Sequence, residues 1–258
     1  MIIQMGVDGL KEHERIDDLE INNLKIIQNK NDFCFGIDSV LISDFSKNIK
    51  ENAIVMDMGA GTGIISLLLC AKTKLKKIFL IEKQKDVADI ARRNIELNML
   101  ENKMEIFNED ILNLKNIFKG NYFDAIVTNP PYKKANSGLK NESLNKYISR
   151  HETTANLEDF IREAKRFLKS KGSLFIVHRP ERIVDILSLM RENKIEPKTM
   201  QLVYSNIQSE PKLVMIEGVK DAKAFLKVKK PLIIYDENNQ YTEDIKKIYN
   251  KDKGENNG

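Results

Sequence analysis

Between residues 53 and 178, short apolar runs rich in β-branched residues alternate with longer segments of helical period. This alternation is typical of repeated β-α-β units, which build a parallel sheet covered by helices on both faces. We expect a doubly wound, Rossmann-like α/β fold with a mostly parallel seven-stranded sheet. The five parallel strands are expected at 54–58, 77–82, 103–107, 123–129 and 173–178.

The sequence after residue 195 predicts the strands that complete the sheet. Two apolar runs, at 200–205 and 212–218, are expected to form an antiparallel strand pair, and LKVKKPLIIYD is expected to pack at an edge. A helix is expected to begin at the N-cap Asn156 and to end at Gly172.

Three segments are expected along the chain. Residues 1–50 hold LKIIQNKNDFCF, a predicted hairpin, and IDSVLISDFSK, a predicted helix, which together have the size of a lid. Residues 51–235 are expected to form the α/β domain. Residues 236–258 are polar and charged, and we expect a frayed helix followed by a disordered tail.

Composition excludes some classes of protein. The net charge of +4 permits a polyanionic partner. No apolar run approaches the about 20 residues that a membrane-spanning helix needs. The acidic N-terminal stretch does not resemble a signal peptide, so we expect a cytoplasmic protein, and a monomer is favoured. The three histidines and two cysteines have no metal-ligand spacing, so no metal is expected.

A glycine-rich loop follows the first predicted parallel strand. Asp57 is followed by Gly59, Gly61 and Gly63 at a strand-to-helix junction, where doubly wound sheets bind ligands. Glycine lets the backbone approach a ligand closely. The GxGxG spacing differs from the GxGxxG that seats a pyrophosphate at a helix N-terminus. The loop therefore fits S-adenosylmethionine, which has no pyrophosphate.

Two carboxylates follow the next two strands. Glu82 ends the second strand, where it is placed for the hydroxyls of an unphosphorylated ribose, which argues against NADP. Asp110 comes just after the third strand and is placed to accept from an adenine amino group. Carboxylates at these strand ends, together with the glycine loop, predict an adenosine site.

The fourth strand ends in Asn129, Pro130, Pro131 and Tyr132. The amine of an adenine is a poor nucleophile because its lone pair is delocalised into the ring. The Asn129 side-chain oxygen and the Pro130 carbonyl can accept its two hydrogens, and an aromatic ring at 132 can stack on the base. This tetrapeptide predicts methyl transfer to a planar amino nitrogen, driven by positioning.

Basic residues follow the tetrapeptide. Lys133, Lys134 and Arg150 belong to a loop that would meet the phosphates of a nucleic acid. His151 and Arg179 are further candidates for the substrate cleft, although solvated side chains would explain them equally well.

With these residues in hand, the chain resembles class I methyltransferases that modify exocyclic amino groups. It is most similar to bacterial tRNA adenine N6-methyltransferases that act beside the anticodon of a valine tRNA. The resemblance covers residues 15–235 and rests on FGIDSVL, DMGAGTG, NPPY and HRPER. It implies that S-adenosylmethionine is the cofactor, that tRNA is the partner, and that Gly36 and Asp38 close over the methionine end of the cofactor.

NPPY alone does not choose the acceptor, because release-factor glutamine methyltransferases and some DNA and rRNA amino methyltransferases share it. The release-factor enzymes carry a longer helical N-terminal domain, and gamma-type DNA enzymes add a large recognition domain after NPPY. An RNA adenine is therefore the favoured acceptor. A protein glutamine and other nucleic-acid amines stay open, as does a binding module without turnover.

Overall fold

The computed structural model describes residues 10–29, 36–132 and 155–249. The strands are β1 (Glu14–Asp18), β2 (Lys25–Asn29), β3 (Ile54–Met58), β4 (Lys77–Glu82), β5 (Met104–Asn108), β6 (Phe123–Thr128), β7 (Leu168–His178), β8 (Ile195–Tyr204), β9 (Pro211–Lys220), β10 (Lys227–Val228) and β11 (Leu232–Ile233). The helices are α1 (Ile37–Phe45), α2 (Ile64–Lys72), α3 (Lys85–Leu97), α4 (Leu157–Phe167), α5 (Ile183–Glu192) and α6 (Glu243–Ile248). Short 3-10 turns lie at Ile111–Asn116 and Pro180–Arg182.

One large sheet confirms the predicted fold class. Its seven long strands run in the order β5-β4-β3-β6-β7-β9-β8, and the first five of these are parallel. β9 pairs antiparallel with both β7 and β8, as the sequence predicted for the C-terminal pair. In addition, β10 and β11 each pair with β8 along its free edge.

Helices cover both faces of this sheet, since a parallel sheet must bury both faces. α1, α2 and α6 contribute to an apolar cluster on one face, together with the N-terminal hairpin. α4, α5 and the Ile111–Asn116 turn contribute to a second cluster on the other face. No helix in the described ranges is long and apolar enough to cross a bilayer.

The N-terminal segment forms a hairpin of β1 and β2, whose first strand lies in the acidic stretch ahead of LKIIQNKNDFCF and was not predicted. The second half of the predicted hairpin, residues 30–35, lies outside the described residues. Arg93 on α3 holds the hairpin by donating to both carboxylate oxygens of Glu14 at 2.6 and 2.7 Å. Asn94 accepts from the Ile27 amide at 2.6 Å and donates to the Thr62 carbonyl at 2.9 Å. α3 therefore joins the hairpin to the glycine loop.

The helix expected from Asn156 begins there, with a reciprocal capping box between Asn156 and Asp159. It ends at Phe167, earlier than predicted, and Gly172 lies inside β7. A Cβ at Gly172 would lie 2.9 Å from the Lys169 carbonyl oxygen. Gly172 therefore serves close backbone packing in a strand and not the end of a helix.

The segment after residue 236 is more ordered than predicted, as far as Tyr249. Ile245 on α6 is fully buried, and the rings of Tyr235, Tyr241 and Tyr249 are stacked with centroids 5.4 and 5.6 Å apart. Four apolar side chains of this polar segment belong to or pack against the first apolar cluster and dock it, namely Tyr241, Ile245, Ile248 and Tyr249. Residues 250–258, the rest of the predicted tail, lie outside the described residues.

Docking of α6 makes a testable contribution to stability. Ile245→Ala removes buried methyl groups and should lower the free energy of unfolding by about 2–4 kcal/mol, measured by chemical denaturation. The same substitution at Ile207, which is 69% exposed, should change it by less than about 0.5 kcal/mol. Equal effects of the two variants would contradict a docked α6.

Candidate functional site

The glycine loop and the NPPY tetrapeptide lie side by side. β3 pairs in parallel with β4 on one side and with β6 on the other, with Asp57 opposite Val127. The Thr128 hydroxyl donates to the Met58 carbonyl at 2.7 Å, which links the ends of β3 and β6. This is the point at which the strand order reverses, and doubly wound sheets bind ligands there.

Positive φ angles shape the glycine loop, with values of 76°, 57° and 87° at Gly59, Gly61 and Gly63. A Cβ at Gly63 would lie 3.0 Å from a methyl group of Leu80, so this glycine packs on the sheet. A Cβ at Gly61 would meet no atom within 4 Å. The loop is therefore open at Gly61, where a ligand can approach the backbone.

Glu82 stands beside this opening. Its carboxylate accepts from the Gly61 amide at 3.0 Å and from the Gln84 amide at 2.8 Å. The side chain is 6% exposed, and burial raises the pKa of the Glu82 carboxyl above its usual value. Glu82 therefore lies against the glycine loop, at the strand end where the sequence placed it.

Asp57 lies beneath the loop and not in the crevice. It is fully buried, and its Oδ2 accepts from the Ser66 hydroxyl at 2.6 Å. Its Oδ1 has no hydrogen-bond partner among the described residues. Burial raises the pKa of Asp57 to about 7, because a carboxylate without enough donors is costly in the interior. Asp57 therefore ties the end of β3 to α2, the two elements that flank the loop.

Asp110 lies two residues beyond β5, at the N-cap of the Ile111–Asn116 turn. Its Oδ1 accepts from the Leu112 amide at 3.0 Å, and its Oδ2 forms an ion pair with Lys83 at 3.0 Å. These contacts hold the carboxylate at the strand end where the sequence placed it.

Asp38, at the start of α1, contacts the tetrapeptide. Its Oδ2 accepts from the Tyr132 hydroxyl at 2.7 Å and from the Asn129 amide nitrogen at 3.3 Å. A Cβ at Gly36 would lie 2.5 Å from the other carboxylate oxygen, so a side chain there would displace Asp38. The family resemblance implied a role for both residues beside the cofactor, whereas these contacts direct Asp38 to NPPY.

The orientation of the Asn129 amide follows from this contact. A carboxylate only accepts hydrogen bonds, so the amide nitrogen of Asn129 must face Asp38. The amide oxygen is then the atom of the Asn129 side chain that can accept a hydrogen bond from another group. Within the tetrapeptide, Pro130 is buried and Pro131 is exposed.

Side chains from the end of β7 surround Tyr132. The Arg179 guanidinium lies 5.1 Å from the ring centroid, and the His178 ring meets it edge-on at 5.1 Å. Burial and the neighbouring Asp38 raise the pKa of Tyr132 far above its usual value, so its hydroxyl stays a donor. Burial lowers the pKa of His178 to about 4, and its Nδ1 accepts from the Arg179 amide at 2.8 Å.

Several of the sequence candidates meet here and others cannot be placed. The fold brings together Gly36, Asp38, Gly59, Gly61, Gly63, Glu82, Asp110, Asn129, Pro130, Pro131, Tyr132 and Arg179. Lys133, Lys134, Arg150 and His151 lie outside the described residues. Sequence reasoning missed the supporting hydroxyls of Ser66 and Thr128, although Thr128 directly precedes NPPY and Ser66 follows Gly63 by three residues. In the described part of the chain, no cluster of three or more His, Cys, Asp or Glu could hold a metal ion.

Comparison with known proteins decides the family. The model of the methyltransferase small domain family matches residues 28–193. The chain belongs to this family. The match spans α1, the glycine loop, NPPY and the end of β7, so the crevice described above is that of a methyltransferase small domain.

Relatives and solved structures extend this result. The chain is 28% identical over 187 residues to a tRNA1(Val) (adenine(37)-N6)-methyltransferase of Porphyromonas gingivalis, covering 70% of this chain and 72% of that one. It is 26% identical over 219 residues to a protein of the same name from Histophilus somni, covering 83% and 87%. The crystal structure of a predicted O-methyltransferase from Agrobacterium tumefaciens aligns with a TM-score of 0.67 at 18% identity, covering 82% and 95%. This structure shares the fold.

Burial of Asp57 predicts a pH dependence of stability. Its pKa of about 7 exceeds the value of 3.8 for a free carboxyl, so the folded state holds a proton that the unfolded state has lost. That contribution to stability therefore falls as the pH rises through 7. Asp57→Asn removes this titration, so the variant should gain stability relative to the wild type between pH 5 and pH 8, by at most about 1.4 kcal/mol per pH unit. Chemical denaturation at several pH values measures the difference, and a constant difference would contradict the raised pKa.

Proposed function

We propose that this methyltransferase transfers the methyl group of S-adenosylmethionine to N6 of an adenine in tRNA, and that adenine 37 of tRNA1(Val) is the site. The observation that carries the proposal is the adjacency of the glycine loop and NPPY at the switch point of the sheet. Relatives that align over most of their length bear this activity in their names.

The donor end of the crevice fits S-adenosylmethionine. Gly61 leaves open space for a close approach, and Glu82 lies beside it to accept from ribose hydroxyls. Asp110 stands at the next strand end, where it would accept from the adenine amino group. Asp57 acts indirectly, by holding the loop through Ser66. S-adenosylmethionine supplies a methyl group on a positively charged sulfur.

The acceptor end fits a planar amine. Because Asp38 holds the nitrogen side of the Asn129 amide, the amide oxygen is presented as an acceptor. That oxygen and the Pro130 carbonyl would take the two hydrogens of the amine, which orients its lone pair. Positioning of this kind supplies much of the rate in such displacements. A strong base is not required, because the methylated ammonium product loses its proton readily.

Tyr132 and Arg179 would hold the base itself. The Tyr132 ring is fixed by its hydroxyl bond to Asp38, and Arg179 packs over it. A base would stack on the face of this ring opposite Arg179, or it would displace the Arg179 guanidinium from the ring. The displaced guanidinium could then bind a phosphate. His178 is neutral and uses Nδ1 on the backbone, so it supports the ring position.

Asn129 gives the most direct test of the acceptor site. Asn129→Ala should lower kcat for methylation of tRNA by about 100-fold, since misplaced reactants cost about that much. Affinity for S-adenosylmethionine, measured by calorimetry, should change little. The control Asn238→Ala, at an exposed position, should keep full activity. Unchanged kcat in Asn129→Ala would remove this residue from the mechanism.

The contacts of Asp38 predict that it acts on the acceptor and not on the cofactor. Asp38→Asn lets the Asn129 amide turn over, so kcat should fall by about tenfold or more, as expected from the loss of a charge-assisted hydrogen bond. Tyr132→Phe keeps the ring and removes one donor, so its effect should be smaller. Steady-state kinetics with both substrates measures this, and a rise in the KM for cofactor alone would contradict the assignment.

The acceptor class needs its own experiment. The protein is incubated with radiolabelled S-adenosylmethionine and tRNA from a strain that lacks this gene, and nucleosides are analysed by mass spectrometry. We expect N6-methyladenosine, mapped to the position next to the anticodon of tRNA1(Val). Release factor is the parallel acceptor, and label in that protein with none in RNA would replace the proposal with glutamine methylation.

A further inference from the structure

A lysine-rich segment with exposed apolar side chains follows β9. Residues 222–235 contain four lysines and no acidic residue, and every residue from 223 to 231 is exposed. Phe225 and Val228 are 70% and 59% exposed, and Leu226 is 37% exposed. Single exposed apolar residues are common, but several interleaved with lysines mark a binding surface.

The backbone of this segment runs along the free edge of the sheet. Lys227 pairs with Thr199 of β8, and Leu232 further along pairs with Val203, both in parallel register. β8 ends at the turn that leads into β9. At the start of β9, the Lys212 carbonyl accepts a hydrogen bond from Arg179 of the crevice at 3.4 Å. The segment therefore leads from the far end of the sheet toward the crevice.

Most of the positive charges on this edge are not neutralised. Within the described ranges, no carboxylate forms an ion pair with Lys198, Lys223, Lys227 or Lys229, whereas Lys230 pairs with Asp244 at 3.1 Å. Lys198 lies 5.6 Å from the Phe225 ring centroid and donates to the Lys223 carbonyl at 3.1 Å. We call the surface formed by Lys198, Lys223, Phe225, Leu226, Lys227, Val228, Lys229 and Lys230 the basic edge.

The basic edge continues into a cleft at the start of the parallel strands. The cleft has a volume of about 480 Å³, and Lys227 and Lys229 line it together with Lys50, Lys169 and Lys171. Its acids are Asp124, which pairs with Lys50 at 2.8 Å and Lys169 at 2.9 Å, and Glu217, which accepts from the Thr199 hydroxyl. The lysines of the cleft extend the positive surface of the edge.

The distance from this surface to the crevice suits a nucleic acid. Lys227 pairs with Thr199 of β8, which lies opposite Glu217 of β9. Glu217 in turn lies opposite Phe175 of β7, three residues before His178. Three strand spacings of about 4.8 Å and three residues of about 3.3 Å place Lys227 roughly 17 Å from the end of β7. That length corresponds to about five nucleotides at 3.4 Å per step along one strand. An RNA with one base in the crevice can thus reach the basic edge.

We propose that the basic edge binds the backbone and unstacked bases of the RNA whose target adenine enters the crevice. This inference rests on the proposed function. Lysines without carboxylate partners would bind phosphates and release counterions, and the exposed Phe225 would stack on a base. RNA uses both features of the surface, because its phosphates and its bases alternate along the chain as the lysines and apolar residues do here.

Removal of the charges tests the proposal. In Lys223→Ala/Lys227→Ala/Lys229→Ala, the KM for tRNA should rise roughly tenfold or more, with kcat at saturating tRNA and affinity for S-adenosylmethionine unchanged. The plot of log affinity against log salt concentration should become shallower by about 2 to 3, because three phosphate contacts are lost. Phe225→Ala should weaken binding of single-stranded RNA without changing this slope.

A matched variant controls for net charge. Lys76→Ala/Lys115→Ala/Lys119→Ala removes the same charge from exposed lysines at the opposite side of the sheet. Its KM for tRNA and its salt dependence should stay close to those of the wild type. Circular dichroism and thermal unfolding establish that both triple variants are folded.

The outcomes separate this inference from the proposed function. If the wild type methylates tRNA but the two triple variants behave alike, the basic edge does not bind RNA and the proposed function stands. If the wild type methylates release factor and not tRNA, the proposed function fails first. Vesicles containing phosphatidylserine give a third arm: loss of vesicle binding with RNA binding retained would make the edge a membrane surface and overturn the proposal.

Discussion

The parallel pairing of β3 with β6 is the constraint on which the rest of the structure depends. Since the chain leaves β3 toward β4 and β5 and then returns to the other side of β3, the loops after β3 and β6 diverge and leave a crevice between them. The hydrogen bond from Thr128 to the Met58 carbonyl keeps these two ends together. A donor loop and an acceptor tetrapeptide distant in sequence thereby share one edge of the sheet.

Asp38 adds a second constraint from outside the sheet. It reaches the tetrapeptide from α1, which packs against α2, the helix that follows the glycine loop. The Asp38 carboxylate thus orients the Asn129 amide and fixes the Tyr132 ring. Its own helix, α1, packs against the helix that follows the glycine loop. The N-terminal segment is in this sense part of the site, although it precedes both motifs in the chain.

Much of this could be predicted from sequence, because parallel strands are strongly patterned and their ends carry the motifs. β3 and β4 begin and end where predicted, and Glu82 and Asn129 lie at the expected strand ends. The partner of Asp38 could not be predicted, since a contact across 94 residues depends on how α1 docks. Strand β1 was missed because it is polar: Glu14 is bound by Arg93 of α3, and Asp17 accepts from side chains within the hairpin, and periodicity reports neither contact. A frayed helix was expected in the segment that forms α6, but its docking was not predicted because its few apolar residues are widely spaced.

Asn94 joins two regions that the sequence separates widely, and this contact has a thermodynamic consequence. Its amide binds the backbone of β2 at Ile27 and the backbone of the glycine loop at Thr62. Local opening of either region breaks one of the two hydrogen bonds that hold this side chain, and the bond to the other region then loses part of its support. A molecule that binds only the closed loop raises the free energy of opening. A ligand in the glycine loop should therefore slow hydrogen exchange at the amide of Ile27, which lies in the hairpin that packs against α3.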